Sequence, residues 1–269
     1  MFRIIKVLLI VAWRILFEYF VWIRRYAKNP KKYPLELRYQ RIRKLCLFVL
    51  KHLKVKYYLK DIDKLNKIEG SFLLICNHLS YLDPICMMAA SETPLTFLAK
   101  HQVKKYPFVG KCLIILEGRF INHRDLRDTL GAIRDIENDF KDNSNRHWVI
   151  FPEGSRNLKN DTVPLLPFFS SSFRIPLATN ISFAITTQMG SQLVANKKKT
   201  YRYTPYQWHL LSLLSHQELV KYDKDGLQKY AHELMLNEVQ SLKISEQNLI
   251  DSYYKKRRKG SLSPEDSNS

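Results

Sequence analysis

At 269 residues, 45% of them hydrophobic, the chain has apolar mass enough for one globular domain with extensions and needs no disulfide staples. Its four cysteines, Cys46, Cys76, Cys86 and Cys112, include no C-x-x-C pair, which argues against a zinc site and fits a reduced, cytoplasmic surrounding. Lys and Arg number 44 against 25 Asp and Glu, a formal charge of +19, so the partner to expect carries negative charge: nucleic acid, anionic lipid or an acidic carrier protein.

The most apolar segment comes first. From Val7 to Ile23 there are 17 residues interrupted by Arg14 and Glu18, four apart and able to pair on one helical face. A comfortable span needs about 20 apolar residues, and charges near its middle are costly. The expectation is a helix lying in the membrane interface or dipping into one leaflet, with Trp13, Tyr19 and Trp22 at headgroup depth. No small-x-small cleavage site follows it. After a basic, Pro-punctuated link, a second helix is expected from about Leu35 to Lys54. Ile42, Leu45, Val49 and Leu53 form its apolar stripe, and Arg38, Arg41, Arg43 and Lys44 a basic girdle facing lipid.

Residues 71–84 read SFLLICNHLSYLDP. Phe72 to Cys76 is a short run, apolar at consecutive positions, the mark of a strand buried on both faces. Asp83-Pro84 then reads as an N-cap with Pro at the first helical position. Between them lies His78, where a buried strand delivers its loop. Asp83 is five positions on and can hold one ring nitrogen, leaving the other to take a proton from an alcohol. This is the base and orienter of a hydrolase triad without its serine, and the chain has no G-x-S-x-G elbow. The nucleophile is then expected to be a substrate hydroxyl.

PLTFLAK at 94–100 is a further strand, whose Lys100 either points into a crevice or ends in solvent. LEGRFINHRD at 116–125 reads as a strand with a basic exit carrying Arg119, His123 and Arg124. Residues 125–145 form an amphipathic helix. HWVIFPEGSRN at 147–157 is a second buried strand ending in a Pro-Glu-Gly turn beside Arg156. The basic and aromatic stretch at 196–209 suits either RNA or, by preference, a solvated strand at the sheet edge. A helix from about Gly226 to Ile244 and a charged, Ser-rich, disordered tail close the chain. The expected division is 1–58 membrane-binding helices, 59–250 an α/β domain and 251–269 tail.

NHLSYLDP and FPEGSRN, in this order, resemble the H-x4-D and FPEG blocks of the glycerolipid acyltransferase family, and most closely its bacterial 1-acylglycerol-3-phosphate acyltransferases. KYPFVGK at 105–111 is similar to the family's P-F-x-G turn. In the second block the family arginine falls on His123, and in the fourth ISFAI lacks both prolines. The resemblance implies a mixed sheet flanked by helices, with an N-terminal membrane element at the cytoplasmic face of the cell membrane. It implies acyl transfer from acyl carrier protein or CoA thioesters to lysophosphatidic acid, with no cofactor, no metal and no nucleic acid. Another lysolipid, glycerol-3-phosphate or a lipid amine stays open as acceptor, and a non-catalytic basic membrane- or nucleic-acid-binding protein stays open as another class. His78 and Asp83 would be catalytic. Glu153, Gly154, Ser155 and Arg156 would form the acceptor block, with the Arg156 fork suited to phosphate and Glu153 positioning rather than touching it. Lys100, Arg119 and Arg124 are the further candidates for the phosphate.

Overall fold

The computed structural model describes residues 2–122, 125–142, 145–194 and 203–258. One seven-stranded sheet organises them: β1 (Val55–Lys60), β2 (Phe72–Ile75), β3 (Thr96–Lys100), β4 (Arg119–Ile121), β5 (His147–Ile150), β6 (Ser182–Met189) and β7 (Thr204–Leu214), in the order β1-β7-β6-β2-β5-β3-β4. β6, β2, β5, β3 and β4 run parallel, β7 is antiparallel to β6, and β1 is parallel to β7. The sheet is therefore mixed, as expected. Every residue of β2 and β5 is buried. Side chains alternate between two cores, Phe72, Leu74 and Val149 in one, Leu73, Ile75 and Trp148 in the other. Two covered faces are why these strands read as unbroken apolar runs. The register pairs Ile75 with Ile150, so the loops after β2 and β5 leave the sheet side by side.

Helix α1 (Phe2–Glu18) passes through a π-helical turn, Tyr19–Ile23, into a short helix at Arg24–Lys28, and α2 follows at Leu35–His52. The expected Arg14–Glu18 pair forms, at 2.6 Å. Trp13 is 70% exposed, alongside Leu9, Leu16, Phe17 and Phe20, so α1 carries an uncovered apolar face. Among the described residues no helix is long and apolar enough to cross a membrane. Trp22 departs from the expectation: the π turn rotates it, with Ile23 and Tyr26, into the protein core. The basic girdle of α2 is kept only in part: Lys44 is exposed and Arg43 half-buried. Arg38 is buried, donating to Ile115 O and pairing with Glu117 at 2.6 Å, and Arg41 lies over the Trp22 and Tyr26 rings. Tyr39, Ile42, Leu45 and Leu50 enter the main core, each large apolar side chain contributing roughly 1.5–3 kcal/mol. The first 58 residues are thus no separate unit, since β1 starts the sheet at Val55.

β7 is not a solvated edge. It lies between β1 and β6, with Thr204 to Trp208 buried. Pro205 is tolerated because the β6 ladder reaches only Gln207. Residues 196–202 lie outside the described ones. Helix α3 (Asp83–Ala90) follows β2, α4 (Val109–Ile115) follows β3 and α5 (Leu126–Lys141), capped by the Asp125 side chain, precedes β5. The last helix, α6 (Lys224–Arg258), is longer than expected and runs past residue 250, burying Leu227, Ala231, Met235, Val239, Leu242 and Ile250; residues 259–269 lie outside the described ones.

Candidate active site

Residues 76–83 connect β2 to α3, and nearly every polar group in them is fixed. Asn77 is fully buried and bonded twice to the Gln188 backbone, its Oδ1 accepting the N–H at 2.8 Å and its Nδ2 donating to the carbonyl at 3.0 Å. Gln188 Nε2 returns a bond to Asn77 O at 2.8 Å, and Tyr206 donates to Gln188 Oε1 at 2.8 Å. The peptide of His78 is gripped from the other side by the loop after β5. Its N–H donates to Glu153 Oε1 at 2.6 Å, and its carbonyl accepts from Asn157 N–H at 2.7 Å. Its ring stacks on Phe151, centroids 4.3 Å apart.

His78 Nδ1 lies 2.6 Å from Asp83 Oδ2, and because a carboxylate accepts, the proton sits on Nδ1. Asp83 is 0% exposed. It does not cap α3 forward, as its place before Pro84 suggested. It reaches back, Oδ2 accepting from Leu79 N–H at 2.6 Å and Ser80 N–H at 2.9 Å, and Oδ1 from the Ser191 hydroxyl. These donors hold a carboxylate in a dry place. Glu153, also buried, has its second oxygen on Leu166 N–H at 3.0 Å. Burial pushes its carboxyl up to about 7, against the pull of the two amide donors.

His78 opens onto a cavity of about 360 Å³ at the carboxyl ends of β2, β5 and β3. Most of its wall is apolar, including Phe97, Leu98, Val109 and Leu113, and its polar rim holds Lys100, Ser155 and Arg156. The Arg156 guanidinium lies 3.5 Å from the Tyr81 ring centroid. Gly154 takes φ +62°, and a Cβ there would meet the Phe169 ring at 2.4 Å, so this turn requires glycine. An imidazole base, two cations and an apolar chamber can seat an acyl chain, an anionic headgroup and a hydroxyl between them.

A model of the family described as Acyltransferase matches residues 56–188. Over these residues the chain belongs to the acyltransferase family. Over 177 residues it is 25% identical to the 1-acyl-sn-glycerol-3-phosphate acyltransferase of Borreliella burgdorferi, the match covering 65% of this chain and 69% of that protein. The Saccharomyces cerevisiae enzyme of the same name is 24% identical over 182 residues, 67% of this chain and 59% of that protein. The crystal structure of the 1-acyl-sn-glycerophosphate (LPA) acyltransferase PlsC from Thermotoga maritima superposes with a TM-score of 0.64 at 21% identity, over 90% of this chain and 98% of that one, and shares its fold.

The acyltransferase thus brings together, from the residues singled out in the sequence, His78, Asp83, Lys100, Gly154, Ser155 and Arg156, with Glu153 directly behind them. Arg119 is a correction. Its guanidinium turns to Asp135 and Asp139, at 3.5 and 3.4 Å, and it is absent from the cavity wall. Arg124 and His123 lie outside the described residues. Sequence reasoning missed Asn77, Tyr81, Asn157, Gln188 and Ser191. Asn77, Tyr81 and Asn157 stand inside the two motifs, where proximity was a signal. Gln188 and Ser191 sit beyond the last recognisable block and had none.

Proposed function

We propose that this acyltransferase moves a fatty acyl group from an acyl thioester, on acyl carrier protein or CoA, to the 2-hydroxyl of 1-acylglycerol-3-phosphate, yielding phosphatidic acid. The observation that carries the reading is the Nδ1 bond of His78 to a buried, fully bonded Asp83 at the mouth of an apolar cavity rimmed by Arg156 and Lys100. The names of the relatives support the acceptor. With Nδ1 engaged, Nε2 is the nitrogen left to take the hydroxyl proton. The acceptor oxygen attacks the thioester carbonyl, the new C–O bond forms and the C–S bond breaks. The proton then passes from Nε2 to the departing thiolate. Asp83 fixes the tautomer and stabilises the imidazolium as it forms. Glu153 holds the His78 peptide and makes no direct contact with the phosphate, which Arg156 and Lys100 bind. The steps ask for no metal or cofactor and no acyl-enzyme. The uncovered face of α1 would rest on the membrane that holds acceptor and product, at its cytoplasmic side.

Purified protein in detergent, given an acyl thioester and a panel of lysolipid acceptors, is expected to acylate 1-acylglycerol-3-phosphate in preference to acceptors without a phosphate monoester. His78→Ala should lower kcat by roughly a hundredfold or more while KM for the acceptor stays near wild type. Arg156→Ala should raise KM for the acceptor and leave that for the donor little changed. Near-normal turnover by folded His78→Ala, or a covalent acyl-protein building up during turnover, would overturn the reading.

A further inference from the structure

Three of the four donors on Asp83 reach the same oxygen, Oδ2: His78 Nδ1, Leu79 N–H and Ser80 N–H. Oδ1, in a side chain with no exposure, has one donor among the described residues, the hydroxyl of Ser191. We propose that Ser191 is a positioning residue of the active site, holding Asp83 by its second oxygen so that the first stays on His78. The proposal rests on His78 being the base. Turning about Cβ–Cγ moves both oxygens, so the Ser191 bond on Oδ1 adds to the three on Oδ2 in resisting that turn. Losing the hydroxyl would also leave a buried charged oxygen without a partner.

The turn that delivers Ser191 is built with little freedom. Gly190 before it takes φ +106°, and a Cβ there would meet Pro205 O at 1.9 Å, so β7 leaves room for glycine alone. Gln192 after it accepts the Gly190 N–H at 2.9 Å and donates through Nε2 to Glu246 Oε1 at 2.9 Å. Glu246 belongs to α6, whose Val239 and Leu242 cluster with Leu79 of the His78 loop and Met189 of β6. Ser191 is fully buried and is not part of the cavity wall, so its hydroxyl has no route to substrate except through Asp83.

The test is Ser191→Ala in the full chain, which removes one oxygen atom and nothing else. Turnover should fall roughly ten- to a hundredfold, the range for a hydrogen bond to a charged group, with KM for acceptor and donor within about twofold. The deshielded proton resonance of His78 Nδ1, assigned by its loss in His78→Ala, should move or broaden. In an Asp83→Asn background the same change should cost little more, because both act through one contact. Wild-type turnover with an unmoved resonance overturns the proposal, as does full additivity with Asp83→Asn, or a drop in melting temperature alone. If the wild type transfers no acyl group yet the resonance moves in Ser191→Ala, the positioning role stands and the proposed reaction falls.

Discussion

Glu153 is buried with both carboxylate oxygens on backbone N–H groups, yet its carboxyl is pushed up to about 7 from its ordinary 4.5 because burial outweighs those bonds. Between these two pH values the folded state keeps a proton that the unfolded state has released. The stability from this group is therefore present below 4.5 and lost as pH rises through 7. Glu246 on α6 acts in the same direction, its carboxyl also raised to about 7 by burial. Glu153→Gln cannot titrate, and should flatten the decline of unfolding free energy across this window by up to on the order of 3 kcal/mol. Urea melts at several pH values read that slope directly; a slope equal to wild type would mean that Glu153 is ionised throughout. The motif made Glu153 conspicuous in the sequence, and repulsion from a phosphate made it a positioning group. What it positions, the peptide of His78, was not legible, because that bond joins loops 75 residues apart. Ser191 is the harder case: a serine after a strand has no mark of its own until folding sets it against Asp83, 108 residues away.

At the scale of elements, the strands that frame the site were legible and the N-terminal helices were legible in type but not in role. β2 and β5 announce themselves because two covered faces demand consecutive apolar residues. For α1 and α2 the same charges and aromatics suit a lipid surface or a protein core equally. Trp22 and Arg38 went to the core because a π turn and the carbonyl of Ile115 offered them places there. The two helices should therefore respond differently to deletion. Removing residues 1–18 takes away an exposed apolar face and should leave a cooperative thermal transition within a few degrees of wild type. Removing residues 1–54 takes Tyr39, Ile42, Leu45 and Leu50 from the main core and strands Glu117 beside Arg146 without Arg38. That chain should show no cooperative transition in calorimetry. A folded 1–54 deletion would restore the expected division, with the N-terminal helices as a unit separate from the α/β domain.

For the whole molecule, a charge of +19 and the apolar face of α1 are two separate attractions to an anionic surface, and salt distinguishes them. Sedimentation with anionic vesicles should weaken several-fold as salt rises from low to high. It should persist in part for the full chain and vanish at high salt without residues 1–18. Salt independence would leave the charge with no part in binding. Composition points to such a partner, but the order of strands was not legible, since the basic and aromatic stretch at 196–209 marked β7 for a solvated edge. Its true place bears on how the chain is made. β1 pairs with β7, Val55 opposite Thr204, so the first strand to be synthesised waits for the last. At roughly 5–20 residues per second, some tens of seconds or less separate the two on the ribosome. Throughout that interval β1 lacks its one strand neighbour in the sheet, and the active-site loop, which precedes Gln188 and Tyr206 in the chain, cannot yet be locked. The nascent acyltransferase gains its chemistry only when nearly all of it has emerged.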